Sequence, residues 1–224
     1  TPASFTNQTT VSLSGTKQAG TSIWINGVER VSANASTSWS YNHSLSDGDG
    51  LKTFSVLAKD TSGNSSSTVS VSTTRDQTLP EGTLSLQSGA AYTTLPSITA
   101  TLTASDALSG IDQVRYHVNG TWSSWESFSA SKAITLSTGD GTKTVLYEIR
   151  DKAGNVTQRS DAIVLDATPP ELLLVVNGGN TYTKALSVNV ALTASDAGSG
   201  LHQMRYKIAG GAWSAWDPYA ASKQ

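Results

Sequence analysis

Ser105-Asp106-Ala107-Leu108-Ser109-Gly110-Ile111 returns 90 residues later as Ser195-Asp196-Ala197-Gly198-Ser199-Gly200-Leu201. Arg115-Tyr116 returns as Arg205-Tyr206. Trp122-Ser123-Ser124-Trp125 returns as Trp213-Ser214-Ala215-Trp216, now 91 apart, so one residue has entered the intervening turn. Phe128 answers Tyr219, and Ser131-Lys132 answers Ser222-Lys223. Upstream, Asp49-Gly50-Leu51-Lys52-Thr53 matches Asp140-Gly141-Thr142-Lys143-Thr144. Lys59-Asp60-Thr61-Ser62-Gly63-Asn64 likewise matches Arg150-Asp151-Lys152-Ala153-Gly154-Asn155, again at 91. Self-similarity at a fixed period marks an array of like units.

The boundaries repeat as well: Asp76-Gln77-Thr78-Leu79-Pro80-Glu81 corresponds to Asp166-Ala167-Thr168-Pro169-Pro170-Glu171. Proline fixes φ and cannot donate to a ladder, which suits short, stiff connections. Three units follow, 1–77, 78–168 and 169–224. Within them the apolar pattern has period two. Ser22-Ile23-Trp24-Ile25 runs into Asn26-Gly27, the strongest short hairpin signal. Ile98, Ala100, Leu102 and Ala104 alternate with Thr99, Thr101 and Thr103. No segment carries a helical stripe of useful length. Several short strands with frequent turns in 80–90 residues predict an all-β chain of tandem sandwiches. In the third unit, the positions answering Asp140 and Asp151 fall near 231 and 242, past Gln224. That unit is therefore expected to lack its closing strands, through truncation or because a strand of another chain completes it.

Composition narrows the function. Of 224 residues, 14% are charged, against roughly 25% in an average soluble protein. Polarity comes instead from Ser, Thr, Asn and Gly. The net charge of −2, without a basic stripe, argues against nucleic acid. Cysteine is absent, which excludes disulfides and thiolate metal sites. No apolar run approaches the roughly 18 residues of a membrane helix. The opening Thr1-Pro2-Ala3 has no leader features, so the chain is expected to begin inside a longer protein or after processing. His43, His117 and His202 lack zinc spacing, and no catalytic signature appears.

Gly15 to Gly27 with Lys59-Asp60-x-x-Gly63-Asn64 resembles the bacterial immunoglobulin-like module first seen as domain B of glucodextranase. The Ser-Asp-x-x-Ser-Gly, Trp-Ser-x-Trp and Arg-Asp-x-Ala-Gly-Asn series resembles immunoglobulin-like repeats of large bacterial surface and secreted proteins. This resemblance implies a non-catalytic stalk or adhesive segment, at the cell surface or outside it, whose partners are neighbouring modules of the same protein. The alternative, second to it, is a carbohydrate- or surface-polymer-binding accessory module of an extracellular enzyme.

Two sets of residues bear on that choice. Trp122, Trp125, Trp213 and Trp216 are candidates for a polysaccharide platform. The competing expectation puts one Trp of each pair in the core and the other against a loop or against Arg115 or Arg205. Oxygen ligands for Ca²⁺ are available at the linkers, in Asp76, Glu81, Asp166 and Glu171, and at the turn residues Asp151 and Asn155. Asp60 with Asn64, Asp106 and Asp196 are further possibilities. Each turn holds a single carboxylate, however, and Asp and Asn in such turns commonly bind their own backbone N–H groups.

Overall fold

The structure, a computed structural model, describes residues 2–223. It is all-β, with 51% of the residues in strands. Among the described residues, the only helical elements are two three-residue 3₁₀ turns, Gln87–Gly89 and Asn177–Gly179.

The first seven strands are β1 (Phe5–Thr6), β2 (Thr10–Thr16), β3 (Ser22–Ile25), β4 (Val28–Val31), β5 (Ser38–Ser44), β6 (Gly50–Lys59) and β7 (Val69–Arg75). They form a sheet ordered β1-β7-β6-β3-β4 and a ribbon β2-β5. Asn26 and Gly27 take φ of 51° and 80° between β3 and β4, the left-handed pair that a two-residue hairpin requires. Alternation in β2 turns Val11 and Leu13 inward. There they join Ile23, Ile25, Leu45 and Phe54, with Trp39, Tyr41, Val56 and Val71 packed on the cluster.

The next eight are β8 (Glu81–Leu86), β9 (Tyr92–Thr93), β10 (Ser97–Ser105), β11 (Ile111–Val118), β12 (Thr121–Trp122), β13 (Ser131–Thr135), β14 (Gly141–Asp151) and β15 (Val156–Leu165). One sheet runs β13-β10-β8 and the other β12-β11-β14-β15-β9. The period-two reading of β10 holds: Ile98, Ala100 and Leu102 are buried while the Thr residues between them are exposed. In β14, Val145, Tyr147, Ile149 and Asp151 are buried in alternation. A Cβ at Gly82 in β8 would collide with Ile149 Cδ1 and the Thr103 carbonyl, so the close approach of the chain there depends on glycine.

The last five are β16 (Glu171–Val176), β17 (Val190–Ser195), β18 (Gln203–Met204), β19 (Asp217–Pro218) and β20 (Ser222–Lys223). They form β16-β17-β20 and a separate ribbon β18-β19. No apolar residue of this stretch reaches full burial among the described residues, and Leu172 is 64% exposed.

Two compact units divide the chain. One holds the residues up to Leu84 with Thr101–Lys132 and Leu146–Ser160; the other holds Ser85–Ala100, Ala133–Val145 and the residues from Asp161 onward.

Candidate metal centre

Asp76, Asp106 and Asp151 each bring a carboxylate oxygen to one place, all within 4.8 Å of one another. Each arrives from a different element. Asp76 follows β7, and its N–H donates to Thr6 O at 2.9 Å. Asp106 opens the turn between β10 and β11, and Asp151 ends β14. All three lie in the first compact unit. Asp76 is 0% exposed and Asp151 1%.

The carboxylates are held by neutral donors. Asp76 Oδ1 accepts from Thr78 N at 3.0 Å, and its Oδ2 from Ser109 N at 3.0 Å. Asp106 Oδ1 accepts from Ser109 N and Gly110 N, each at 2.8 Å, and more loosely from Leu108 N. Asp151 Oδ1 accepts from Gly154 N and Asn155 N at 2.7 and 2.8 Å. Asn155 Nδ2 ties the parts together, donating to Asp151 Oδ2 and to the carbonyls of Asp76 and Thr78. Asp106 Oδ2 is buried and has no hydrogen-bond partner. None of the four ion pairs among the described residues involves these carboxylates. The grouping is thus an all-oxygen donor set with one lone pair site unused, which suits a hard cation.

Of the linker and turn residues picked out from sequence, Asp76 and Asp151 meet here, and Asn155 orients both. Glu81 is exposed at the start of β8 and stands outside the cluster. Asp106 supplies the third carboxylate. Its signal in the sequence was its place in the repeated Ser-Asp-x-x-Ser-Gly series.

Half of the arrangement recurs in the second compact unit. Asp166 N donates to Thr93 O at 2.9 Å, and Asp166 Oδ2 accepts from Ser199 N at 2.5 Å. Asp196 Oδ1 accepts from Gly198 N and Gly200 N. Hydrogen bonding from Ser199, through its side chain and then its N–H, holds the Asp166 carboxyl below the usual carboxylate range. A Cβ on Gly198 would run into that carboxyl. Glu171 is exposed and takes no part. At the β2–β3 turn, which has the place of the β10–β11 turn, stands Lys17 instead of an aspartate. Its Nζ donates to Thr21 O and Asn34 O. Asp60, in the turn after β6, is exposed and caps that turn through Ser62 N and Asn64 N.

Neither Trp of the pairs enters a core, contrary to the expectation of one buried Trp in each. Strand alternation does not govern them, because β12 stops at Trp122 and the chain turns before Glu126 bridges back to Val114. The indoles grip arginine, as the expectation had for one Trp of each pair. Arg115 lies 4.5 Å from the Trp122 ring and 4.6 Å from Trp125, and Arg150 covers Trp125 at 4.5 Å. Arg115 Nε is fixed by Glu148 Oε2 at 2.6 Å. Arg205 sits likewise between Trp213 and Trp216, at 4.8 and 4.6 Å. Guanidinium groups thus stack on these indoles, of which Trp122, Trp213 and Trp216 remain exposed.

No known protein-family model matches the chain, and no curated protein matches it. Similar solved structures exist. Fibronectin(III)-like modules of Clostridium thermocellum CbhA align at 13% identity and a TM-score of 0.46, over 72% of this chain and 87% of theirs. A tetra-tandem repeat in the extending region of a large adhesion protein aligns at 21% and 0.32 over 96% of this chain, which spans 61% of that one. The D00-D0 domain of intimin aligns at 14% and 0.26, over 72% of this chain and 94% of its own. Similarity at this level concerns the fold.

Proposed function

We propose that this chain is a non-catalytic structural segment of an extracellular stalk or adhesive fibre, made of modules 1–77, 78–168 and 169–224. A Ca²⁺ ion held by Asp76, Asp106 and Asp151 stiffens the first joint. One observation carries this reading. The carboxylate of linker residue Asp76 meets two turn carboxylates in a buried place, where Asp106 Oδ2 binds nothing. Like charges at such separations repel unless a cation intervenes. The chain offers only oxygen, and Ca²⁺ takes six to eight oxygen ligands without strict geometry. An ion there bonds the linker directly to the turns that open β11 and close β14, so the linker loses its freedom to swing. Outside the cell, millimolar Ca²⁺ would fill even a site of modest affinity.

The test is isothermal titration of the chelator-treated chain with Ca²⁺, alongside amide relaxation of Gln77 to Leu79. The reading expects one site per chain and slower internal motion of those amides on filling it. A chain that takes up no Ca²⁺ at millimolar concentration, its linker equally rigid with chelator, would sink it.

A further inference from the structure

Three polar side chains among residues 5–75 occupy core positions that are apolar in residues 92–165. β7 and β15 run alike into Asp76 and Asp166, which sets Thr73 against Ile163 and Arg75 against Leu165. Leu45 N donates to Thr9 O at 2.8 Å and Leu136 N to Pro96 O at 2.9 Å, which sets His43 against Ile134. The three apolar counterparts are buried, and Thr73 and Arg75 are buried with them, at 2% and 6% exposure.

The topology gathers them at the end of the core that adjoins Asp76. β7 runs from Val71 through Thr73 to Arg75 with these alternate side chains turned inward. Phe54 lies opposite Val71, Lys52 opposite Thr73 and Gly50 opposite Arg75. His43, near the end of β5, comes from the β2-β5 ribbon and rests edge-on against Phe54, with ring centroids 5.0 Å apart. Each of the three holds a polar atom shut off from solvent and without a partner: His43 Nδ1, Thr73 Oγ1 and Arg75 Nε. Arg75 Nη2 donates to Gln77 Oε1, but no carboxylate pairs with Arg75 among the described ion pairs. The other cations at this end are engaged differently. Lys52 Nζ donates to the Asp47 carbonyl, and Arg30 stands over the Tyr41 ring at 5.4 Å. Asp49 is taken up by Gln77 N and the Thr78 hydroxyl.

Burying a charge is costly unless it is paired, and a buried donor without an acceptor adds to the cost. Arg75 Nε–H and the Thr73 hydroxyl are such donors. His43 Nδ1 is a third in the tautomer that carries its proton there. A water could accept from these groups but would leave the guanidinium charge uncompensated; an anion meets both demands. We infer that Arg75, Thr73 and His43 enclose a binding site for a halide ion, which is chloride in ordinary salt solution. Because the three atoms are closed to solvent, the place suits a small bare anion and not one with a bulky substituent. Arg75 gives the ion a charge-assisted bond, and Thr73 and His43 complete its shell. The site does not rest on the cation reading proposed above, although Arg75 directly precedes Asp76.

The test melts the 224-residue chain in sodium chloride and in sodium gluconate at equal ionic strength, gluconate being too large for the place. Chloride should raise the melting temperature by a few degrees over gluconate, since it binds the folded chain alone. Arg75→Leu, which installs the residue found at the counterpart position 165, should abolish that difference. Crystals of the unsubstituted chain soaked in bromide should show an anomalous peak in contact with Arg75 Nε, a readout that stands even where Arg75→Leu fails to fold. Density at that place without an anomalous signal is a water and would overturn the inference. Equal melting in the two salts would overturn it as well, and a bromide peak would then be an adventitious ion only. A chloride effect that persists in a folded Arg75→Leu chain is a general salt effect and counts equally against the site.

Discussion

Thr78 is latched by Asp49. The Thr78 hydroxyl donates to Asp49 Oδ2 at 2.9 Å, and Gln77 N donates to Asp49 Oδ1 at 2.9 Å. Thr168 and Asp140 repeat the contact, with Ala167 N donating to Asp140 Oδ1. The Gln77 N–H and then the Thr78 hydroxyl hold the Asp49 carboxyl below its ordinary value, and Ala167 and Thr168 do the same for Asp140. A depressed folded value means the latch contributes fully above about pH 4. The contribution is lost as pH falls through the lowered value. Amide exchange at Gln77 should therefore be slow at neutral pH and accelerate at strongly acid pH. Asp49→Ala should show the fast rate at both.

Ca²⁺ should raise thermal stability in proportion to its binding. At one hundred times the dissociation constant the gain is about 2.7 kcal/mol for the folding unit that owns the site. Asp106→Ala, which removes the unpartnered oxygen, should abolish the Ca²⁺-dependent component of the melting shift. Glu81→Ala should leave it intact. Calorimetry of the three proteins with Ca²⁺ and with chelator is decisive.

The arginine–tryptophan stack predicts a graded response. Trp125→Ala strips Arg150 of its ring and Arg115 of one of its two, and should cost about 1–3 kcal/mol. Arg115→Lys keeps the charge but loses the planar group that both stacks and meets Glu148; the loss should be about 1 kcal/mol. Urea unfolding gives both numbers, and near-ultraviolet dichroism reports the loss of indole order.

Gly82→Ala should destabilise by about 1–3 kcal/mol, the range for overpacking. One obstacle is the Thr103 carbonyl, which is backbone and cannot swing away. Thermal unfolding checks it.

Tyr116 and Tyr147 stack at 5.5 Å with both hydroxyls buried and without partners. Burial pushes Tyr116 up to about 12, and pushes Tyr147 further in the same direction. Their contribution to stability is whole below about pH 10 and is lost as pH rises through the folded values. Phenolate absorbance should therefore show two tyrosines ionising only with unfolding. Tyr147→Phe should be neutral or stabilising, because the hydroxyl it removes is buried without a bond.

The strand framework was legible because it is local. Ser-Ile-Thr-Ala-Thr-Leu patterning in β10 and Asn26-Gly27 after β3 depend on neighbours in sequence. So was the repeat, since like turns recur at like spacing. The carboxylate cluster was only half legible. Asp76, Asp106 and Asp151 are separated by 30 and 45 residues, and each looks solitary in its own turn. Their meeting depends on the return of β14 beside β11, a tertiary fact. Linker position favoured Glu81 and Glu171 equally with the aspartates, but both open a strand and point to water. The Trp pairs escape alternation for a related reason: the strand ends at Trp122 and a turn follows.

Phe5–Thr6 pairs in parallel with Thr74–Arg75, and Tyr92–Thr93 with Val164–Leu165. A tug on the two ends of either segment therefore drives the paired strands past each other along their length. Hydrogen bonds lying across the pull share the load and fail together. In an antiparallel pair gripped at its open end they would break singly, in succession. Thr6 O receives Asp76 N and Thr93 O receives Asp166 N, so each such clasp ends beside a joint aspartate. In the stalk reading proposed above, one aspartate would serve both resistance to stretching and rigidity of the joint.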